Sequence, residues 1–153
     1  MLRWTRIFYS SLKNSYKNWK IYTKCRVLVK RNVPIDTALS KPTDGGVPYK
    51  TSGIYVFKQK RKVIYLGMSS TDIRNRIQAH LSNNDRQEVG KYLQKWHFRA
   101  ITVSWVEEKD AEVKEKQYID IVGNLQGCAP VLNKTSGNSK KIHKKTWLRR
   151  FFK

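Results

Sequence analysis

Gly53-Ile54-Tyr55-Val56-Phe57-Lys58-Gln59-Lys60-Arg61-Lys62-Val63-Ile64-Tyr65-Leu66-Gly67 is the stretch on which the fold turns. Two runs rich in β-branched and aromatic residues flank a short basic turn, which is the pattern of a β-hairpin. Residues directly opposed across an antiparallel pair project to the same face, so a loop of three or five residues sets Tyr55 opposite Tyr65.

Beyond the hairpin, Ser69-Ser70-Thr71-Asp72 are all helix-capping types, and Ile73, Ile77 and Leu81 then recur every four residues as a buried stripe. Arg76 and His80 share that spacing, about 60° around the helix from the stripe. They should border the core together, where a cation beside an imidazole can grip a phosphate. Val89, Leu93 and Trp96 suggest a second helix, and the alternation Ile101, Val103, Trp105 a strand. Asp110 is placed to cap a third helix running to about Val122, with Ala111, Tyr118, Ile121 and Leu125 on its apolar side and Glu115 in its middle. Gly127 and Pro130 turn the chain into the short extended piece Val131-Leu132-Asn133. The expected fold is α/β, a small three-stranded and mainly antiparallel sheet flanked by helices. A chain of 153 residues can fill one such core but hardly two.

Upstream, the prolines and paired glycines of residues 32–48 read as a linker, so a folded domain should span 49–135. The charge of +21 points to a polyanionic partner, nucleic acid first. It is concentrated at the ends, since no acid precedes Asp36 and none follows Asp120. Residues 1–31 form a prospective basic amphipathic helix. Arg6, Lys13, Lys17, Lys20 and Lys24 fall on one face and Trp4, Phe8, Leu12, Trp19 and Tyr22 roughly opposite. A lysine stripe along a phosphate backbone, a mitochondrial transit peptide and a membrane-surface helix all fit that pattern. Residues 136–153 form a basic aromatic tail, in which Lys140, Lys141, Lys144, Lys145, Arg149 and Arg150 are interleaved with Trp147, Phe151 and Phe152. The tail suits phosphate contact with stacking, a protein partner, or a nuclear localisation signal. Cys25 and Cys128 lack the spacing of a disulfide framework or a zinc site, so an intracellular reducing compartment is expected. Nucleus, mitochondrion and cytoplasm stay open. No apolar run has the length of a transmembrane helix.

Gly53-Ile54-Tyr55, then Tyr65-Leu66-Gly67 ten residues on, Arg76 with His80 one turn later, the helical Glu115 and the terminal Leu132-Asn133 form an ordered series that resembles the GIY-YIG nuclease domain. Leu66, where isoleucine or valine is usual, is the one departure in the name-giving motifs. The resemblance implies the same small sheet-and-helix architecture. It also implies Tyr55 and Tyr65 beside the attacking water and scissile phosphate, Arg76 on the phosphate, His80 bonded near it, Glu115 as ligand of Mg2+ (or Mn2+), and Asn133 closing the site. The chemistry is consistent with those roles, because a guanidinium fork meets phosphoryl oxygens in a fixed geometry and magnesium accepts a single carboxylate among waters. The implied activity is metal-dependent hydrolysis of nucleic acid, DNA favoured over RNA, leaving 5′-phosphate and 3′-hydroxyl ends. A rival reading is a non-catalytic nucleic-acid-binding protein on the same scaffold, such as a subunit of a ribonucleoprotein particle.

Overall fold

Strand β2 (Gly53–Gln59) has almost no contact with water on either face, since Gly53 through Lys58 are all buried. It lies inside an antiparallel sheet of order β1-β4-β2-β3, with β1 at Val33–Pro34, β3 at Lys62–Ser69 and β4 at Ile101–Glu107. The computed structural model describes residues 16, 18–82, 85, 87–95 and 100–133. Helix α1 (residues 18–30) and α5 (Ala111–Gln126) share a hydrophobic cluster with Ile54, Val56, Val63 and Leu66 on one face of the sheet. On the other, α2 (Ile35–Ala38), α3 (Ile73–Leu81) and α4 (Glu88–Lys95) pack with Tyr55, Phe57, Ile101, Val103 and Trp105. Among the described residues no helix is long and apolar enough to cross a membrane.

The sheet has four strands where three were expected. The extra one comes from the stretch read as a linker, in which Val33 and Pro34 pair with Val103 and Thr102. Proline is tolerated there because an edge position need not donate to the ladder. Ile35, Ala38 and Val47 then enter the core, and the Arg74 guanidinium on α3 donates to the carbonyls of Leu39 and Ser40. The prolines and glycines of this stretch therefore shape turns over the sheet rather than separating two units; Gly45, at φ 86°, ends a short 3-10 turn at Pro42–Asp44.

The N-terminal helix also differs from its expected role as an arm. Over the described residues its buried stripe is Ile21, Cys25 and Leu28, spaced to lie on one side of a helix and packed against the sheet. Trp19, assigned to the apolar face, is 62% exposed, and Tyr22 is only partly buried. Trp4, Phe8 and Leu12 lie outside the described residues, as does Trp96 of the second expected helix. Asp72 caps α3 as read, accepting from the Asn75 amide at 3.1 Å, whereas Asp110 makes no side-chain cap and instead pairs with Lys114 at 3.0 Å.

The hairpin reaches its face by a different route from the one expected. Its turn has two residues, Lys60 and Arg61, both left-handed (φ 49° and 65°). That is the conformation a tight hairpin with the native strand twist requires. An even-numbered turn alone would send Tyr65 to the face opposite Tyr55. Ile64 is inserted without a partner between the pairs Lys58↔Val63 and Phe57↔Tyr65, and this bulge reverses the parity. Tyr65 consequently opposes Phe57, Tyr55 opposes Gly67, and both phenols share one face. The outer edge of β3 is met by side-chain amides. Gln126 pairs with both backbone groups of Val63 (2.9 and 3.1 Å) and Asn133 with both of Leu66 (2.8 and 2.7 Å).

Lys58 joins α1 to the central strand. Its ammonium, fully buried, donates to the carbonyls of Leu28 (2.9 Å) and Val29 (3.2 Å) in the last turn of the helix, and to that of Arg31, which also accepts from the Ser104 hydroxyl. Burial pulls its pKa down from 10.5 to about 8. Lys58→Met should cost about 1–3 kcal/mol in urea unfolding, because the Leu28 and Val29 carbonyls lose the donor that Lys58 supplies. The folded protein releases the Lys58 proton near pH 8 and the unfolded chain near 10.5. Stability that is full above that window is lost as pH falls through it. The advantage of the parent over Lys58→Met should therefore grow as pH is raised from 8 to 10.5.

Candidate active site

Tyr55 sits where the sheet is most enclosed, and its phenol crosses Gly67 on the neighbouring strand. A Cβ at Gly67 would stand 2.5 Å from the Tyr55 hydroxyl oxygen, 2.7 Å from Cζ and 2.8 Å from Cε1 of Tyr65. Glycine is thus required by the approach of the two rings, whose centroids are 6.3 Å apart. The Tyr55 hydroxyl lies 2.6 Å from Nε2 of His80, one turn beyond Arg76 on α3, and Nδ1 of His80 lies 2.7 Å from a carboxylate oxygen of Asp85. A carboxylate can only accept, so Nδ1 carries the proton and Nε2 accepts from the Tyr55 hydroxyl. Burial depresses the His80 pKa and outweighs the opposing pull of Asp85, so the ring is neutral. Burial also pushes the Tyr55 phenol above its usual range; Tyr65 adds to the rise, while the Arg76 guanidinium opposes it through its charge and hydrogen bonding.

Tyr65, Arg76 and Glu115 form the solvent side of the same cluster, all partly exposed. The Tyr65 phenol is raised mainly by burial, lowered by Arg76 and raised again by Glu115, so β3, α3 and α5 bring these three groups within mutual electrostatic range. The Glu115 carboxyl is raised by burial, against the charge of Arg76. It enters none of the ion pairs among the described residues, because the adjacent Lys114 turns to Glu108 (2.7 Å) and Asp110.

Two of the expected site residues stand differently from a phosphate-binding set. His80 is 1% exposed, ringed by Tyr55, Phe57 and Tyr65, and both its nitrogens are engaged. It faces the inner tyrosine, not solvent. Asn133 uses its amide on the backbone of Leu66, next to Tyr65, and so fastens the last described residues to the site strand. Asp85 was not among the residues read from the sequence; the only signal for it is an acid five residues beyond His80, in the connection to α4.

Of the basic residues expected to meet nucleic acid, Lys24 is committed to protein. It donates to the Glu107 carbonyl (2.6 Å) and pairs with Glu108 (3.0 Å), which also accepts from Tyr118 and Lys114 and is held down to about 2 by these partners despite its burial. Lys20 lies over the Tyr16 ring. Lys13, Lys17, Lys140, Lys141, Lys144, Lys145, Arg149 and Arg150 lie outside the described residues. Arg26 and Lys30 take the exposed side of α1. A groove of about 1050 Å³ lined by Lys20, Lys24, Lys50, Lys109 and Lys114 runs past Glu108 and contains none of the tyrosines. Hydroxyl, guanidinium and carboxylate come together instead at the tyrosine cluster, through Tyr65, Arg76 and Glu115.

Residues 51–126 match the family model of the GIY-YIG catalytic domain. No curated protein and no solved structure matches the chain.

Gly67→Ala tests the ring crossing directly. The added methyl would displace both tyrosines, so chemical denaturation should show a loss of about 1–3 kcal/mol, the range for overpacking a filled core. A variant as stable as the parent would mean that the rings do not cross there.

Proposed function

Residues 51–126 belong to the GIY-YIG catalytic-domain family, which is typically one of nucleases, and from that premise we propose that the protein is a metal-dependent endonuclease acting on DNA. The observation that carries this reading is the convergence of Tyr65, Arg76 and Glu115 from three separate elements. Hydrolysis of a phosphodiester requires an oriented water, charge stabilisation on the phosphoryl oxygens and neutralisation of the leaving oxygen. Tyr65, the partly exposed member of the pair, meets the water. Arg76 presents its fork to the non-bridging oxygens. Glu115, half-buried and outside the ion pairs formed by its neighbours, fits as the single carboxylate through which Mg2+ (or Mn2+) is held. Such an ion supplies positive charge at the leaving 3′ oxygen when bound.

The water oxygen forms a bond to phosphorus as the bond from phosphorus to the 3′ oxygen breaks, leaving a 5′-phosphate and a 3′-hydroxyl. One proton leaves the water for the tyrosine pair as the Tyr55 proton moves to Nε2 of His80. The 3′ oxygen takes a proton from solvent, and His80 returns its own to solvent back through the tyrosine pair. Neither raised tyrosine is a base by itself near neutral pH, so the neutral imidazole behind Tyr55 gives the pair its basicity.

The cationic ends carry nine lysines and arginines in residues 1–31 and eight in 134–153 and, Lys24 apart, supply affinity by counterion release. Deleting 1–15 and 134–153 should flatten the slope of log affinity against log salt while the domain stays folded. Deleting 1–31 should unfold it, because α1 carries Ile21, Cys25 and Leu28. An unchanged slope would assign the ends to targeting or protein contact.

Glu115→Gln and Arg76→Ala separate chemistry from binding. Each should reduce magnesium-dependent cleavage of plasmid by roughly 100-fold or more. Affinity for DNA should change little, since each alters one charge among many. A parent protein that cuts neither DNA nor RNA and copurifies with RNA would overturn the enzyme and favour the non-catalytic reading.

A further inference from the structure

His80 has a second partner that the hydrolytic scheme leaves unused, and that partner is held in a built seat. Asp85 Oδ2 contacts Nδ1 of His80, and its other oxygen accepts from the Gln87 amide at 2.9 Å. The space for the carboxylate exists because α4 carries Gly90. A Cβ there would lie 2.4 Å from that same Oδ2 and 2.6 Å from both Cβ and Cγ of Asp85. Glycine inside a helix is a poor helix former, so its presence here follows from what lies against it. The helix gives up a side chain where the carboxylate must fit.

The chemical consequence lies in the imidazole. A neutral histidine carries its proton on either nitrogen, and only an unprotonated Nε2 can accept from the Tyr55 hydroxyl. Among the described residues, Tyr55 from β2, Tyr65 from β3, Arg76 on the same helix and Asp85 are the charged or titratable groups that face this ring. Of these, Asp85 alone bonds to Nδ1 and so selects the tautomer. We propose that Asp85, seated by Gly90, is a positioning residue that fixes the tautomer and orientation of His80 and thereby aims Nε2 at Tyr55. Its kinetic consequence rests on the nuclease reading; the arrangement of the three side chains does not.

The test uses the full chain labelled with 15N at histidine. In the parent, the His80 resonances should show a protonated Nδ1 and an unprotonated Nε2. Asp85→Asn, which keeps the size, and Gly90→Ala, which displaces an unaltered Asp85, should each shift that tautomer. In cleavage of a DNA duplex each should lower kcat by roughly tenfold or more with KM little changed, and the double variant should be no worse than the poorer single one. The second variant keeps the test open should the first fail to fold. A parent-like tautomer in both variants overturns the proposal, and so does parent-like turnover beside a shifted tautomer. A tautomer that responds to Asp85 in a protein that cuts no DNA would uphold the arrangement and remove the nuclease reading instead.

Discussion

A tyrosine hydroxyl in the middle of a strand buried on both faces cannot be left without a partner, and much of the site is organised around that constraint. An unsatisfied polar group in such a place costs about as much as several methylene groups gain by burial. The Tyr55 oxygen is satisfied by His80, and His80 by Asp85. No buried side-chain polar atom among the described residues is left without a partner. The same enclosure that makes the network necessary makes it rigid, because each ring is confined by others at centroid distances of 5.5 to 6.3 Å.

Two glycines show how the backbone accommodates this. Gly67 on β3 leaves room for the Tyr55 ring, and Gly90 on α4 leaves room for Asp85. Neither requires an unusual φ; both are positions where a neighbour's side chain occupies the volume of a Cβ. Glycine in a name-giving motif is thus explained here by the phenol above it, not by a turn.

What could be read from the chain followed from periodicity and local chemistry. The hairpin, the stripe Ile73 and Ile77 (Leu81 is only partly buried), the strand through Val103 and the helix carrying Glu115 were legible because each needs only a window of ten or so residues. The bulge at Ile64 was not, since nothing local marks an inserted residue among Val63, Ile64 and Tyr65, all strand formers. The buried stripe of α1 was obscured by larger aromatics that face outward, and the linker by prolines that also serve an edge strand. Arg76 and Glu115 were visible through an ordered series of residue types. Asp85 was invisible because its role depends on a contact between a loop and the end of a helix. Lys58 looked like any surface lysine beside a basic turn; its carbonyl partners belong to a helix some thirty residues away.

The amides of Gln126 and Asn133 on β3 bear on how many copies of this protein can sit together. A cationic chain collected along a polyanion reaches local concentrations at which exposed strands pair between molecules. Here one margin of the sheet has amide side chains bonded at Val63 and Leu66, and the other is a two-residue strand that includes Pro34. At Val63 and Leu66 the backbone groups of one margin are already bonded, and at Pro34 the other margin lacks a donor, so copies crowded on the same nucleic acid meet a local check on strand pairing at each side of the sheet.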